Sequence, residues 1–109
     1  MLKVLLIASA VLVNPARADD IIYKNLGAGL KTCGDFLRSK ETTRTYYVSW
    51  ILGFLTATNL TRAVAGGDGS MPKLGSPSDL ELWMTNFCAS HALETVANAA
   101  VNLSIEISK

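Results

Sequence analysis

The run YYVSWILGFLTATNL, residues 46–60, decides how this chain folds. Tyr46, Trp50, Gly53, Ala57, Leu60 and Val64 recur at alternating steps of four and three, which traces one line along an α-helix. Thr45, Ser49, Thr56 and Asn59 fall on a separate polar line, and Tyr47, Ile51 and Phe54 fill the flank between. A bilayer span needs about 20 predominantly apolar residues. Here Ser49, Thr56, Thr58 and Asn59 interrupt the run, and Arg44 and Arg62 bracket it. The spacing therefore predicts a helix over residues 43–64 at the centre of a soluble bundle. Gly53 and Ala57 lie on the main stripe, where their small side chains would let another helix approach. A helix-interior Gly costs up to about 1 kcal/mol against Ala, so a packing reason is expected. Trp50, Gly53, Phe54 and Ala57 are the expected core of this helix, joined by Trp83 and Phe87 from a later one.

Upstream, residues 1–18 read as a targeting segment. Lys3 precedes an apolar block from Val4 to Val13, Asn14-Pro15 breaks it, and Ala16-Arg17-Ala18 offers the A-x-A pattern of a secretory signal peptidase site. Cleavage after Ala18 would leave a single domain over residues 19–109, with export through the Sec route to a periplasm and no membrane insertion afterwards. Removing Lys3 and Arg17 leaves eight basic residues against nine acidic ones, a net charge of about −1. That balance provides no basic face for nucleic acid and no polybasic anchor for a membrane surface.

A domain this short buries too little surface to be robust without covalent help. It carries two cysteines, Cys33 and Cys88, and an oxidising compartment favours their pairing; with two, one intramolecular bond is open to them. The alternatives are a reactive thiol or a metal ligand. No C-x-x-C occurs, and one His does not complete a zinc set, so neither a metal nor a cofactor is expected.

The remaining segments read as helices and loops. Residues 19–31 are expected to be an extended or frayed lead-in. Thr32 fits a helix N-cap with Asp35 in capping-box position, opening a short helix over residues 33–38. Residues 39–42 form the turn into the long helix. Residues 65–77, with four glycines and two prolines, exclude regular structure and make a surface loop. GGDGS within it lacks the Gly-Lys-Ser/Thr ending of a phosphate loop. Ser78 and Glu81 suggest a second capping box ahead of a helix over residues 79–89, with Leu80, Trp83, Met84, Phe87 and Cys88 on one face. Ser90 is the expected cap of a last helix over residues 92–107, striped by Leu93, Val96, Ala100, Leu103 and Ile107. The fold class is all-α, with about four helices, and a Cys33–Cys88 bond would clamp the first and third across the central one.

The catalytic inventory is thin. His91 is the sole histidine, and beside Ser90 at a helix start it reads as a packing or capping residue, or as a pH sensor. There is no G-x-S-x-G elbow, and the carboxylates are paired by no motif. The aromatics at helical spacing read as core before they read as a ligand box. Asn59 and Asn102 open glycosylation sequons, both inside expected helices. No enzyme is expected.

Three motifs, T-C-x-D-F-L from Thr32, S-W-x-x-G-F-x-x-x-x-N from Ser49 and W-x-x-x-F-C from Trp83, give the chain a family likeness. It resembles small bacterial periplasmic proteins, the HdeA-like acid chaperones and the related Tai-type immunity proteins of type VI secretion. The resemblance implies a helical fold with a disulfide between Cys33 and Cys88. It also implies a protein partner: a cell-wall amidase toxin for the immunity branch, unfolded clients for the chaperone branch, and a second copy of the chain in either. The light charge departs from the chaperone pattern, and Trp50 and Gly53 stand closer to the immunity branch. On that branch the loop is the expected contact, with Asp68, Ser70 and Lys73 as its polar tips.

Overall fold

A computed structural model describes residues 22, 24–70 and 73–109; the expected targeting segment, residues 1–18, lies outside them. The described chain is all-α: a 3₁₀ turn over Gly27–Leu30, then α1 (Cys33–Arg38), α2 (Glu41–Val64), α3 (Pro77–Ala89) and α4 (Val96–Ile107). Cys33 and Cys88 are disulfide-bonded, with Cα atoms 4.9 Å apart, and this joins the first residue of α1 to the end of α3.

Local chemistry explains most of the boundaries. Thr32 caps α1 by accepting from the Asp35 N–H at 3.1 Å, while its own N–H donates to the Asp35 carboxylate at 3.1 Å, the reciprocal box read from sequence. α2 begins at Glu41, two residues earlier than expected, and the turn shrinks to Ser39 and Lys40. An acidic residue in the first turn suits the positive end of the helix, and Arg44 N–H already closes on Lys40 O at 2.8 Å. α3 also starts early, so the Ser78–Glu81 box does not form. Ser76 is the cap, accepting from Asp79 N–H at 3.2 Å, and Pro77 follows at a position that needs no N–H donor.

The last helix starts later than expected. Ser90 does not cap it; Thr95 does, accepting from Asn98 N–H at 3.0 Å. Residues 92–95 are instead committed to a main-chain joint with the start of α1. Cys33 N–H donates to Glu94 O at 2.8 Å, Gly34 N–H to Ala92 O at 3.0 Å, and Val96 N–H to Lys31 O at 2.7 Å. The first N–H groups of a helix have no partner inside it. Here each of two helices has one or more of them satisfied by the segment leading into the other.

The centre of the bundle is α4, not α2. Seven of its twelve residues are buried, including Ala97, Ala99 and Ala100, and it touches every other element. A helix that is apolar nearly all round and rich in small residues belongs in the middle, because neighbours can approach it from several sides. α2 buries Tyr47, Val48, Ile51, Leu55 and Asn59 on one side only. The expected core stripe is on the other side. Gly53 and Ala57 are each two residues from the buried Leu55, about 200° around the helix, and both are exposed. Trp50, Phe54, Trp83 and Phe87 pack against the core from its edge, partly buried.

Candidate interaction surface

The outer face of α2 leaves a line of apolar residues exposed. Tyr46 is 59% exposed, Leu60 63% and Val64 80%, with Gly53 and Ala57 open between them. A Cβ built on Gly53 would meet no atom within 4 Å. Scattered exposed apolar residues are normal on a protein surface, but an aligned series is a sign of interaction. From Tyr46 to Val64 the line runs about 27 Å at 1.5 Å per residue. Between Thr45 and Thr61 no residue is charged. No described helix is long and apolar enough to cross a membrane, so this face is not one side of a span.

Trp50 marks the edge of that face and was expected in the core. Its indole N–H donates to Leu26 O at 2.9 Å, its ring stacks on Phe54 with centroids 5.8 Å apart, and it covers Gly27 and Gly29. Gly27 has φ +70°, a conformation that favours glycine. Residues expected to be a frayed lead-in therefore form a platform for Trp50, with Ala28 and Gly29 buried and Leu26 and Leu30 left exposed beside it. No sequence pattern carried this, because the two halves of the contact are more than twenty residues apart.

The loop residues Asp68, Ser70 and Lys73 do come together, around a recess of about 260 Å³ shared with Arg62, Ile107 and the end of α4. Their polar atoms face one another. Asp68 accepts from Ser70 N–H at 3.0 Å and from Ser70 O–H at 2.7 Å, and Lys73 donates to Lys109 O. The Ser70 N–H is the main reason that the Asp68 carboxyl is held below the usual carboxylate range. Gly69 lies on α2, where a Cβ would sit 2.7 Å from Asn59 O and 2.9 Å from Ala63 Cβ. This part of the loop lies back on the bundle.

The remaining candidates resolve into structure. His91 follows the end of α3 rather than opening a helix; its Nδ1 lies 2.7 Å from Phe87 O and, facing a carbonyl, is the donor. The ring stacks on Phe87 at 4.0 Å, and Phe87 stacks on Trp83 at 5.0 Å, a ladder along one side of α3. Leu93, expected in the last stripe, is almost fully exposed in the turn ahead of α4. Asn59 is buried and accepts from Arg62, which removes the first sequon from use. Among the described residues no three His, Cys, Asp or Glu side chains gather as a metal site would require.

A residue the sequence reading passed over is Arg44. Its Nη2 donates to Phe36 O at 3.0 Å and Leu37 O at 2.8 Å, closing the end of α1, and its guanidinium lies 4.8 Å from the Phe36 ring centroid. No family model matches the chain, and no curated protein and no solved structure is similar to it.

Proposed function

We propose that this is an exported, non-enzymatic protein that works by docking on another protein, as its resemblance to the immunity branch implies. The observation that carries the reading is the uncharged apolar line from Tyr46 to Val64, turned away from the chain's own core. A soluble domain that leaves such a line bare gives up the stabilisation of burying it, and a partner surface is the usual reason. The paired cysteines support export, since disulfides persist in oxidising compartments. The contact surface moves from the loop to α2, because the polar atoms of Asp68, Ser70 and Lys73 are already engaged.

The test is a photo-reactive side chain placed at Ala57 in living cells. Protein adducts that vanish with Leu60→Asp and persist with Asp68→Ala/Lys73→Ala are the expected result. Adducts lost with the loop variant and kept with Leu60→Asp would return the contact to the loop. The acid-chaperone reading draws on the same bare face. It requires that the chain suppress aggregation of denatured clients at about pH 2–3 and not near neutrality, because the switch works by protonating carboxylates; absence of that protection removes it.

A further inference from the structure

We infer that Trp50 is a gate: its indole closes over a cradle formed by Asn25, Gly27 and Gly29, and it swings clear of that cradle while the helical bundle stays folded. This stands apart from the docking reading of α2, because it concerns the floor beneath the ring and holds whatever the face beside it meets.

The first observation is an acceptor that closure leaves unpaired. Asn25 Nδ2 donates to Gly29 O at 2.9 Å, which fixes the amide in place. Its Oδ1 is buried and has no hydrogen-bond partner among the described residues. Buried polar atoms are nearly always paired, because a dry one forfeits its bond to water. The ring and this oxygen flank the same small space: a Cβ built on Gly29 would lie 2.4 Å from Trp50 Cζ2 and 2.6 Å from Asn25 Oδ1. Closure therefore works against itself. The ring gains contact with the glycines and keeps water from Asn25.

The second is how lightly the ring is held. The floor offers no side chain at Gly27 or Gly29 to grip it. One hydrogen bond at the surface, from the indole N–H to Leu26 O at 2.9 Å, and the stack on Phe54 are its directional ties.

The third is that the ring has somewhere to go. α2 buries Tyr47, Val48, Ile51, Leu55 and Asn59, and Trp50 is not among them, so its departure removes nothing from the buried line. Gly53 is three residues along and thus beside it on the helix surface. A Cβ built there would meet no atom within 4 Å, so that flank is open.

A closed form held at its edge and penalised by a dry acceptor lies a small step below the open one, and the open form is populated on the order of 1%. Opening uncovers Asn25 Oδ1 and Leu26 O together, while Asn25 Nδ2 stays on Gly29 O. Two acceptors are exposed by the same motion, so the group that the open cradle takes is a hydrogen-bond donor.

The experiment uses the full 109-residue chain. Relaxation dispersion on the Trp50 indole N–H, assigned by its loss in Trp50→Phe, is expected to show exchange on the µs–ms timescale, with none at the Ile51 and Leu55 amides. Two variants should hold the gate open in a Trp83→Phe background, where Trp50 is the one indole. Asn25→Asp places a charge beneath the ring and withdraws the donor to Gly29 O; Gly29→Ala fills the cradle. Each should raise acrylamide quenching of Trp50 about twofold or more while helical circular dichroism is retained. An indole N–H without exchange, or quenching unmoved by Asn25→Asp, overturns the gate. Exchange shared by Ile51 and Leu55, or quenching that rises only as helical signal is lost, also overturns it, since the ring then leaves only when the bundle comes apart.

Discussion

Gly29→Ala is the substitution that separates this structure most sharply from its sequence. Gly29 does not have a positive φ. By propensity alone, replacing Gly by Ala at a compatible backbone position stabilises a protein by about 0.4–1 kcal/mol through the unfolded state. The structure reverses the sign. The new Cβ would lie 2.4 Å from Trp50 Cζ2, 2.5 Å from Cη2 and 2.6 Å from Asn25 Oδ1, so the indole has to leave its platform. With it go the Trp50–Leu26 hydrogen bond, worth about 1 kcal/mol net, and the stacking on Phe54, worth about 0.5–1.5 kcal/mol. Lost contact of the ring with the turn adds an overpacking penalty of about 1–3 kcal/mol. After the entropic gain is subtracted, the net loss is about 2–5 kcal/mol. Urea unfolding followed by circular dichroism reads the stability, and tryptophan emission in a Trp83→Phe background reports on Trp50 alone. The expected outcome is a lower midpoint together with a red-shifted native emission. A variant as stable as the parent, with unchanged emission, would show that Trp50 does not rest on Gly29.

Four further outcomes are expected. Gly53→Ala, at an open helix-interior site, should raise monomer stability by up to about 1 kcal/mol in thermal melts at sub-micromolar concentration; a loss would mean that something in the fold already approaches Gly53. Removing the disulfide with Cys33→Ala/Cys88→Ala, a crosslink spanning 55 positions, should cost about 4 kcal/mol in the chain-entropy model and raise the urea m-value, since the unfolded chain expands; a loss below about 1 kcal/mol would refute an unfolded-state mechanism. Arg44→Ala should cost about 2–3 kcal/mol by unfolding titration and Arg44→Lys should recover little of it, because two carbonyls and an aromatic ring are served by one planar group. For pH, the Thr32 N–H holds the Asp35 carboxyl below the ordinary aspartate value of 3.8, so its contribution is present above that value and is lost as pH falls through the folded-state pKa; Asp35→Asn should lower the melting temperature at neutral pH and flatten its decline in acid.

Which parts of the architecture could be read from the residues follows from range. Thr32 and Asp35 are three positions apart, and their box is a local matter that no tertiary contact overrode. The cysteine pairing rested on a count of two. α2 itself was plain from its periodicity, but the direction it faces was not. Two apolar lines run along it, one through Tyr47, Ile51 and Leu55 and one through Trp50, Gly53 and Ala57. Which line turns inward depends on what packs against it, and the decisive neighbour, α4, comes more than thirty residues later. The alanines of α4 were visible as composition without announcing that they mark the centre. Ser90 and Thr95 are both acceptable caps; Thr95 prevails because Ala92 and Glu94 give their carbonyls to α1. The candidate loop residues were found together, whereas the bare stripe was identified correctly as a line and assigned to the wrong side.

The joint between the start of α1 and the turn before α4 bears on how the protein is made. Residues 92–96 emerge from the ribosome well after residues 31–34, yet neither helix start is complete until the two meet. A nascent chain holding only its first three helices has open N–H groups at Cys33 and Gly34 and no central helix to pack on. It stays loose until α4 has been made. On the proposed export route, where a polypeptide is threaded through a narrow translocon, such lateness is an advantage, since there is nothing folded to unravel on the way out.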